Sequence, residues 1–308
     1  MDAPTSTSTT STSTTSTSTG APRLDELPLP QRRPAFEALM TGLPVPDDVT
    51  ATPTTLGGVP AYDVVLAGSG DATVLHLHGG AYVMGSARAA VRTAALLARQ
   101  AGARAVALDY RLAPEHPHPA ALEDALAGYR ALLDSGVAAE RLVLTGESAG
   151  GGLVLATLVA AVRAGLPVPA AAVVLSPWTD LTLSGASYVA RQGLDPVLRT
   201  ASIARDAIAY AADRRADPLV SPLLADLRGL PPLLVQVGSA EILLDDATQL
   251  AARAAEADVP VQLEVYPGAT HVFQHGADGS GGTADEALAR VGAFVRRLLP
   301  GEPLQRLG

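Results

Sequence analysis

Short apolar runs alternate with longer alanine-rich segments along most of this 308-residue chain, and this alternation limits the fold more than any other feature. Several of the runs are almost continuously apolar, as in strands that are covered on both faces. Strand-then-helix alternation favours a mostly parallel sheet with helices on both sides, which is an α/β fold. The predicted strands are Tyr62–Ala67, Thr73–His78, Ala105–Asp109, Arg141–Thr145, Ala171–Leu175, Leu233–Val237 and Gln262–Val265, and helices are predicted near 87–100, 119–134, 149–164, 245–257 and 284–299.

Three segments lie outside this alternation. Residues 1–23 form a Ser/Thr-rich tail that we expect to be disordered, because it cannot bury enough apolar surface to offset its ordering entropy. A short helical arm is predicted at 24–45, and the insertion 183–215 contains a helical pattern at 200–213 with no strand immediately before it. We expect the insertion and the arm to form a helical cap over the carboxyl edge of the sheet, where ligands bind in open α/β sheets.

The composition lacks two reactive residue types: there is no cysteine and no lysine, so arginine supplies all 22 basic residues. These absences exclude thiolate nucleophiles, cysteine-ligated metals, lysine Schiff bases and phosphate-binding loops that end in a lysine. The net charge of −9 argues against nucleic acid as a partner, because phosphate binding needs a basic face. No apolar run approaches the roughly 20 residues of a transmembrane segment, and no secretory signal is evident, so a cytoplasmic location is expected.

The motif Gly146-Glu147-Ser148-Ala149-Gly150-Gly151 lies between a predicted strand and a predicted helix. Small residues on both sides of the serine allow the chain to turn sharply, so that the hydroxyl projects at the edge of the sheet. The N–H of the next residue, Ala149, then lies at the positive N-terminus of the helix. This context predicts that Ser148 is a nucleophile.

A second motif, His78-Gly79-Gly80-Ala81, lies at the end of the strand predicted at 73–78. Consecutive glycines allow the backbone to direct N–H groups inward, as an oxyanion hole requires. We therefore predict that the amides of Gly79 and Gly80 act together with that of Ala149. His76 and His78 also have a spacing that a metal site could use, but no Asp or Glu accompanies them nearby, so no metal is expected.

With these two motifs the chain resembles the hormone-sensitive-lipase-like (bacterial family IV) esterases and lipases, from about Val74 to Phe294. The resemblance implies an α/β-hydrolase domain over 24–308, with a mostly parallel sheet flanked by helices and a helical cap. Ala81 replaces the third glycine of the family's His-Gly-Gly-Gly motif, and Ala269 lies where many relatives carry methionine. Further family-like stretches are Asp109–Pro117, Ser176–Leu181, Asp217-Pro218 with Ser221–Leu223, and Tyr266–Phe273.

The remaining catalytic residues are predicted from chain order, which in this fold is serine, acid, histidine. His271 follows the last predicted strand, whereas His76, His116, His118 and His275 are expected to be structural or solvent-facing. Glu241 lies 271 − 241 = 30 residues before the histidine, which agrees with the spacing in the family, and it is the predicted acid. The alternative acid is Asp245, although a carboxylate at the start of a helix already has a structural reason.

These residues predict a serine carboxylesterase that needs no metal and no cofactor. Its partner is expected to be a small acyl ester, and the resemblance implies acyl chains of short to medium length. Two alternatives stay open: an N-acetyl or amide hydrolase with the same catalytic groups, and a non-catalytic ligand-binding protein with the same fold. The sequence also leaves open whether the chain forms a homodimer.

Overall fold

A single eight-stranded sheet is the centre of the computed structural model, which describes residues 23–300. The strands are β1 (Val49–Leu56), β2 (Val59–Leu66), β3 (Thr73–Leu77), β4 (Arg104–Leu108), β5 (Leu142–Glu147), β6 (Ala171–Leu175), β7 (Leu233–Gly238) and β8 (Val261–Tyr266). Their spatial order is β1-β2-β4-β3-β5-β6-β7-β8. β3 to β8 are parallel to one another, whereas β1 and β2 form an antiparallel edge that continues onto β4.

Helices cover both faces of this sheet. They are α1 (Leu29–Thr41), α2 (Ala87–Ala101), α3 (Ala120–Asp134), α4 (Ala149–Arg163), α5 (Ser187–Ala190), α6 (Thr200–Ala211), α7 (Leu244–Glu256) and α8 (Thr283–Leu298). Apolar side chains of α3, α4 and α7 form one core layer with the sheet, and those of α2 and α8 form the layer on the opposite face. Every residue of β3, β5, β6 and β7 is consequently buried, which explains why these strands are so apolar.

The predicted strands and the five helices predicted between them are confirmed, with bounds that shift by three residues at most, whereas the arm predicted at 24–45 contains a shorter helix, α1. Among the eight strands of the sheet, β1 is the one that the sequence did not reveal. This strand has the sequence VTATPTTL, includes Pro53 and is mostly exposed, because it lies at the edge of the sheet. An edge strand needs neither an apolar face nor every backbone donor, so it carries little of the signal that identifies buried strands.

Of the two segments predicted to form a cap, residues 24–45 contain α1, and residues 183–215 contain α5 and α6. Residues of α1 and α6 line a cavity that also contains Ser148. The division of the chain into a cap and an α/β-hydrolase domain stays a prediction, and most of the predicted Ser/Thr-rich tail, residues 1–22, lies outside the described residues. Within residues 23–300, no helix has the length and apolar character required to cross a membrane.

Candidate active site

Ser148 occupies the sharp turn between β5 and α4, where the sequence predicts a nucleophile. Its φ of 54° is in the left-handed region, and its N–H donates to Leu175 O at 2.9 Å. The neighbouring glycines are required by close backbone contacts. A Cβ at Gly150 would lie 2.0 Å from Leu77 O, and one at Gly146 would lie 2.4 Å from the Gly150 carbonyl oxygen. The turn therefore requires glycine at positions 146 and 150, and the serine hydroxyl lies at the carboxyl edge of the sheet.

Two further predicted residues reach Ser148 from neighbouring loops. His271 follows β8, and its Nε2 lies 2.9 Å from Ser148 Oγ. Glu241 follows β7, and its Oε2 lies 2.8 Å from His271 Nδ1. The side chains of His271 and Glu241 are only 6% and 0% exposed, so solvent does not compete for this contact. The structure brings the serine, the histidine and the glutamate into one hydrogen-bonded line.

Asp245, the alternative acid, has different contacts. Its Oδ2 accepts a hydrogen bond from the N–H of Ser187 at 2.9 Å, and it lies in the first turn of α7. The next residue, Asp246, is buried and accepts the N–H groups of Thr179 and Asp180. Burial raises the pKa of Asp246 to about 7. Both aspartates thus connect α7 to the loop after β6 and to α5, whereas the glutamate faces the histidine.

The oxyanion prediction needs one correction. The N–H of Gly79 donates to Glu147 Oε1 at 2.6 Å, so this amide is occupied by a buried carboxylate and cannot face a substrate. Gly80 and Ala81 have φ values of 120° and 54°, and both line the cavity. Their N–H groups have no acceptor among residues 23–300. The glycine motif therefore leaves the amides of Gly80 and Ala81 free, one position later than predicted.

A carboxylate lies beside His76 of β3, contrary to the sequence interpretation. Glu147 Oε2 lies 3.1 Å from His76 Nε2, because β3 and β5 are adjacent in the sheet. His78 is buried against the ring of Tyr110, with 4.2 Å between the ring centroids, and burial lowers its pKa. Within residues 23–300, no group of three or more His, Cys, Asp or Glu side chains is arranged to hold a metal ion.

A cavity of about 460 Å³ opens above Ser148. Apolar side chains form most of its wall, including Phe36 and Met40 of α1 and Ile203 of α6. The polar part of the wall includes Ser148 and His271 at one end and the ion pair between Arg32 and Asp206, which joins these two helices. A cavity of this size and character can enclose a small organic molecule with one end at the serine.

A protein-family model matches most of the chain. A family model described as the alpha/beta hydrolase fold matches residues 74–275. The chain belongs to the α/β-hydrolase fold family.

Relatives of this α/β-hydrolase match it over most of their length. An "Acetyl-hydrolase" of Streptomyces hygroscopicus is 45% identical over 254 residues, which cover 78% of this chain and 84% of that protein. An "Esterase" of Acinetobacter venetianus is 34% identical over 268 residues, which cover 86% of this chain and 88% of that protein. A solved esterase structure from the bacterial hormone-sensitive lipase family has a TM-score of 0.85 and 43% identity, and it covers 92% of this chain and 94% of its own. The predictions of fold, family and hydrolase class are confirmed.

One residue with a direct role in the geometry had no predicted function. Ser176 lies in a stretch noted only for its resemblance to the family, yet its hydroxyl donates to Glu241 Oε1 at 2.8 Å. Its position directly after β6, at the same edge as the nucleophile, is the only sequence signal that points to it.

Proposed function

We propose that this α/β-hydrolase is a serine carboxylesterase that hydrolyses short- to medium-chain acyl esters through Ser148, His271 and Glu241. The observation that carries the proposal is the pair of contacts made by the imidazole, 2.9 Å to the serine hydroxyl and 2.8 Å to the glutamate. A nucleophile, a base within hydrogen-bond reach and an acid that orients the base are the parts that acyl transfer requires.

In the first step, Ser148 Oγ attacks the carbonyl carbon of the ester, and His271 Nε2 accepts the hydroxyl proton. Glu241 holds the imidazole in the tautomer whose Nδ1 carries hydrogen, and its negative charge stabilises the imidazolium that forms. Because the glutamate is fully buried, this interaction is weakly screened by solvent.

The developing oxyanion is stabilised by backbone amides. We propose that these belong to Gly80, Ala81 and Ala149, since the amide of Gly79 is bonded to Glu147. Ala149 is the first residue of α4, so its N–H has no acceptor within the helix and lies at the positive end of the helix dipole. Each such donor contributes on the order of 10²–10³ in kcat.

The tetrahedral intermediate then collapses. His271 returns its proton to the alcohol oxygen as the ester C–O bond breaks, which leaves an acyl group on Ser148. Water attacks this acyl-enzyme while His271 accepts one of its protons, and that proton passes back to Ser148 Oγ as the carboxylic acid leaves. No step requires a cofactor.

The size of the cavity supports the substrate range. A volume of about 460 Å³ with mostly apolar walls suits a short or medium acyl chain together with its alcohol. The relatives named "Acetyl-hydrolase" and "Ethyl acetate hydrolase" favour the short end of this range. A second candidate function is removal of an acetyl group from nitrogen by the same residues, because the name "Acetyl-hydrolase" does not say which atom carries the acetyl group.

The test is hydrolysis of p-nitrophenyl esters from acetate to dodecanoate, alongside p-nitroanilides with the same acyl groups. We expect the esters of short and medium acids to be hydrolysed and the anilides to be poor substrates. Ser148→Ala should lower kcat by about 10⁶-fold and abolish labelling by a fluorophosphonate, whereas the control Ser280→Ala, in an exposed loop, should change neither.

Each outcome separates the candidate functions. Retention of most ester hydrolysis by Ser148→Ala would refute the mechanism. Faster turnover of the anilides than of the matched esters would favour the amide hydrolase, and absence of both labelling and turnover in the unaltered protein would favour a ligand-binding protein.

A further inference from the structure

Ser176 lies at a junction between the three loops that carry the proposed catalytic residues. It directly follows β6 and is completely buried. Its N–H donates to Gln236 O in β7 at 2.7 Å. The preceding residue, Leu175, accepts the N–H of Ser148, so the backbone around Ser176 touches both the serine turn and the strand that leads to the acid.

The hydroxyl of Ser176 connects the acid with the histidine loop. It donates to Glu241 Oε1 at 2.8 Å, and it accepts the N–H of Val272, the residue after the catalytic histidine, at 3.1 Å. The same Oε1 also accepts the N–H of Gly238 at 2.7 Å. One carboxylate oxygen is therefore held by two donors, and the other is left for His271.

The two hydrogen bonds to Oε1 restrict the orientation of the Glu241 carboxylate. A glutamate side chain has three rotatable bonds, so a buried carboxylate that contacts only the imidazole could still rotate and tilt. Two donors on Oε1 restrict the plane of the carboxylate and so direct Oε2 of Glu241 at Nδ1 of His271. Because the same hydroxyl accepts the N–H of Val272, it also fixes the backbone next to His271.

The backbone of Ser176 supports a functional reason for its side chain. Its φ of 45° is in the left-handed region, where glycine is favoured and other residues are strained. The side chain of serine does not help the backbone to adopt this conformation. What it adds is the hydroxyl with its two hydrogen bonds.

We propose that Ser176 is a positioning residue of the esterase reaction, which acts through Glu241 and Val272 rather than on the substrate. This inference rests on the proposed triad. It predicts that loss of the hydroxyl lowers kcat and leaves KM nearly unchanged, because the substrate cavity is intact while the imidazole is less well oriented. Misplacement of catalytic groups by about 1 Å can cost on the order of 100-fold, so we expect kcat to fall about 10- to 100-fold.

The experiment compares Ser176→Ala and Ser176→Gly. Both variants remove the hydroxyl, but glycine relieves the strain at the positive φ and alanine does not, so the two should differ in melting temperature. If the hydroxyl matters for catalysis, both should show the same loss of kcat despite this difference. The glycine variant also keeps the test usable if the alanine variant folds poorly.

Ser221→Ala is the matched control. Ser221 is also completely buried, and its hydroxyl likewise makes two hydrogen bonds, to Arg215 O and from the N–H of Leu181. Its loss should lower the melting temperature while kcat stays within twofold. A second readout is the downfield proton NMR signal of the hydrogen between His271 Nδ1 and Glu241, which we expect to shift or broaden in the Ser176 variants only.

The outcomes distinguish this inference from the triad itself. Unchanged kcat in both Ser176 variants, or an equal loss of kcat in Ser221→Ala, would overturn the positioning role while the triad stands. Full activity in Ser148→Ala would instead remove the triad on which the inference rests.

Discussion

The ion pair between Arg32 and Asp206 joins α1 to α6, two helices that lie far apart in the sequence but share the cavity wall. The guanidinium and the carboxylate make two hydrogen bonds, of 2.9 and 2.6 Å, and the side chains are only 2% and 5% exposed. Removal of one partner from a buried pair leaves an unpaired charge, which is far more costly than replacement of both partners. We therefore expect single and double substitutions to differ sharply in stability.

The two single substitutions leave different surroundings. In Asp206→Leu, Arg32 keeps among residues 23–300 only a 3.4 Å side-chain contact with Ser202 Oγ, so we expect the free energy of unfolding to fall by about 3–5 kcal/mol. In Arg32→Met, Asp206 still lies 3.8 Å from Arg205, so a smaller loss of about 2–3 kcal/mol is expected. The double variant contains neither charge and should lie within about 1 kcal/mol of the original chain.

Urea unfolding measures these values, with the fluorescence of the single tryptophan, Trp178, and far-ultraviolet circular dichroism as probes. Asp226→Leu is the control, because it breaks an exposed pair with Arg228 and should cost less than about 1 kcal/mol. The reasoning is refuted if the double variant is as unstable as Asp206→Leu. It is also refuted if Asp206→Leu has the same free energy of unfolding as the control Asp226→Leu.

Three further predictions concern the acid, the half-buried His275 and the serine turn. Glu241→Gln should lower kcat by about 10³–10⁴-fold, and Asp245→Asn should leave it within a few fold; steady-state kinetics that give the reverse order would exchange the acids. Burial lowers the pKa of His275 to about 4 despite the nearby carboxylate of Glu147. The unfolded chain therefore binds more protons than the folded chain as the pH falls from about 6.5 to 4, and stability is lost over that range. In urea unfolding at pH 7 and pH 4.5, His275→Gln should reduce this loss by up to about 2 kcal/mol, and an equal loss in both proteins would contradict the assignment. Gly150→Ala places a Cβ 2.0 Å from Leu77 O and should lower the free energy of unfolding by about 3 kcal/mol or more. The control Gly193→Ala places a Cβ with nothing within 4 Å and should melt within a few degrees of the original chain. Equal melting temperatures of the two variants would refute the steric argument.

Sequence alone indicated the features that depend on local pattern. The alternation of apolar runs and helices determined the parallel sheet, because strands covered on both faces must be apolar. The glycines near Ser148 indicated the turn, since a Cβ at Gly146 or Gly150 would collide with the backbone. Chain order and spacing then pointed to His271 and Glu241 and to the family.

Contacts between strands that are distant in sequence could be decided only by the tertiary structure. The adjacency of β3 and β5 brings Glu147 to the amide of Gly79, and this moves the free amides of the glycine motif to Gly80 and Ala81. The adjacency of β6 and β7 likewise brings Ser176 to Glu241. In both cases a carboxylate accepts a hydrogen bond from a residue that follows the adjacent strand. A sequence pattern reports which residues lie on a strand or in a turn, but the strand order decides which of them meet.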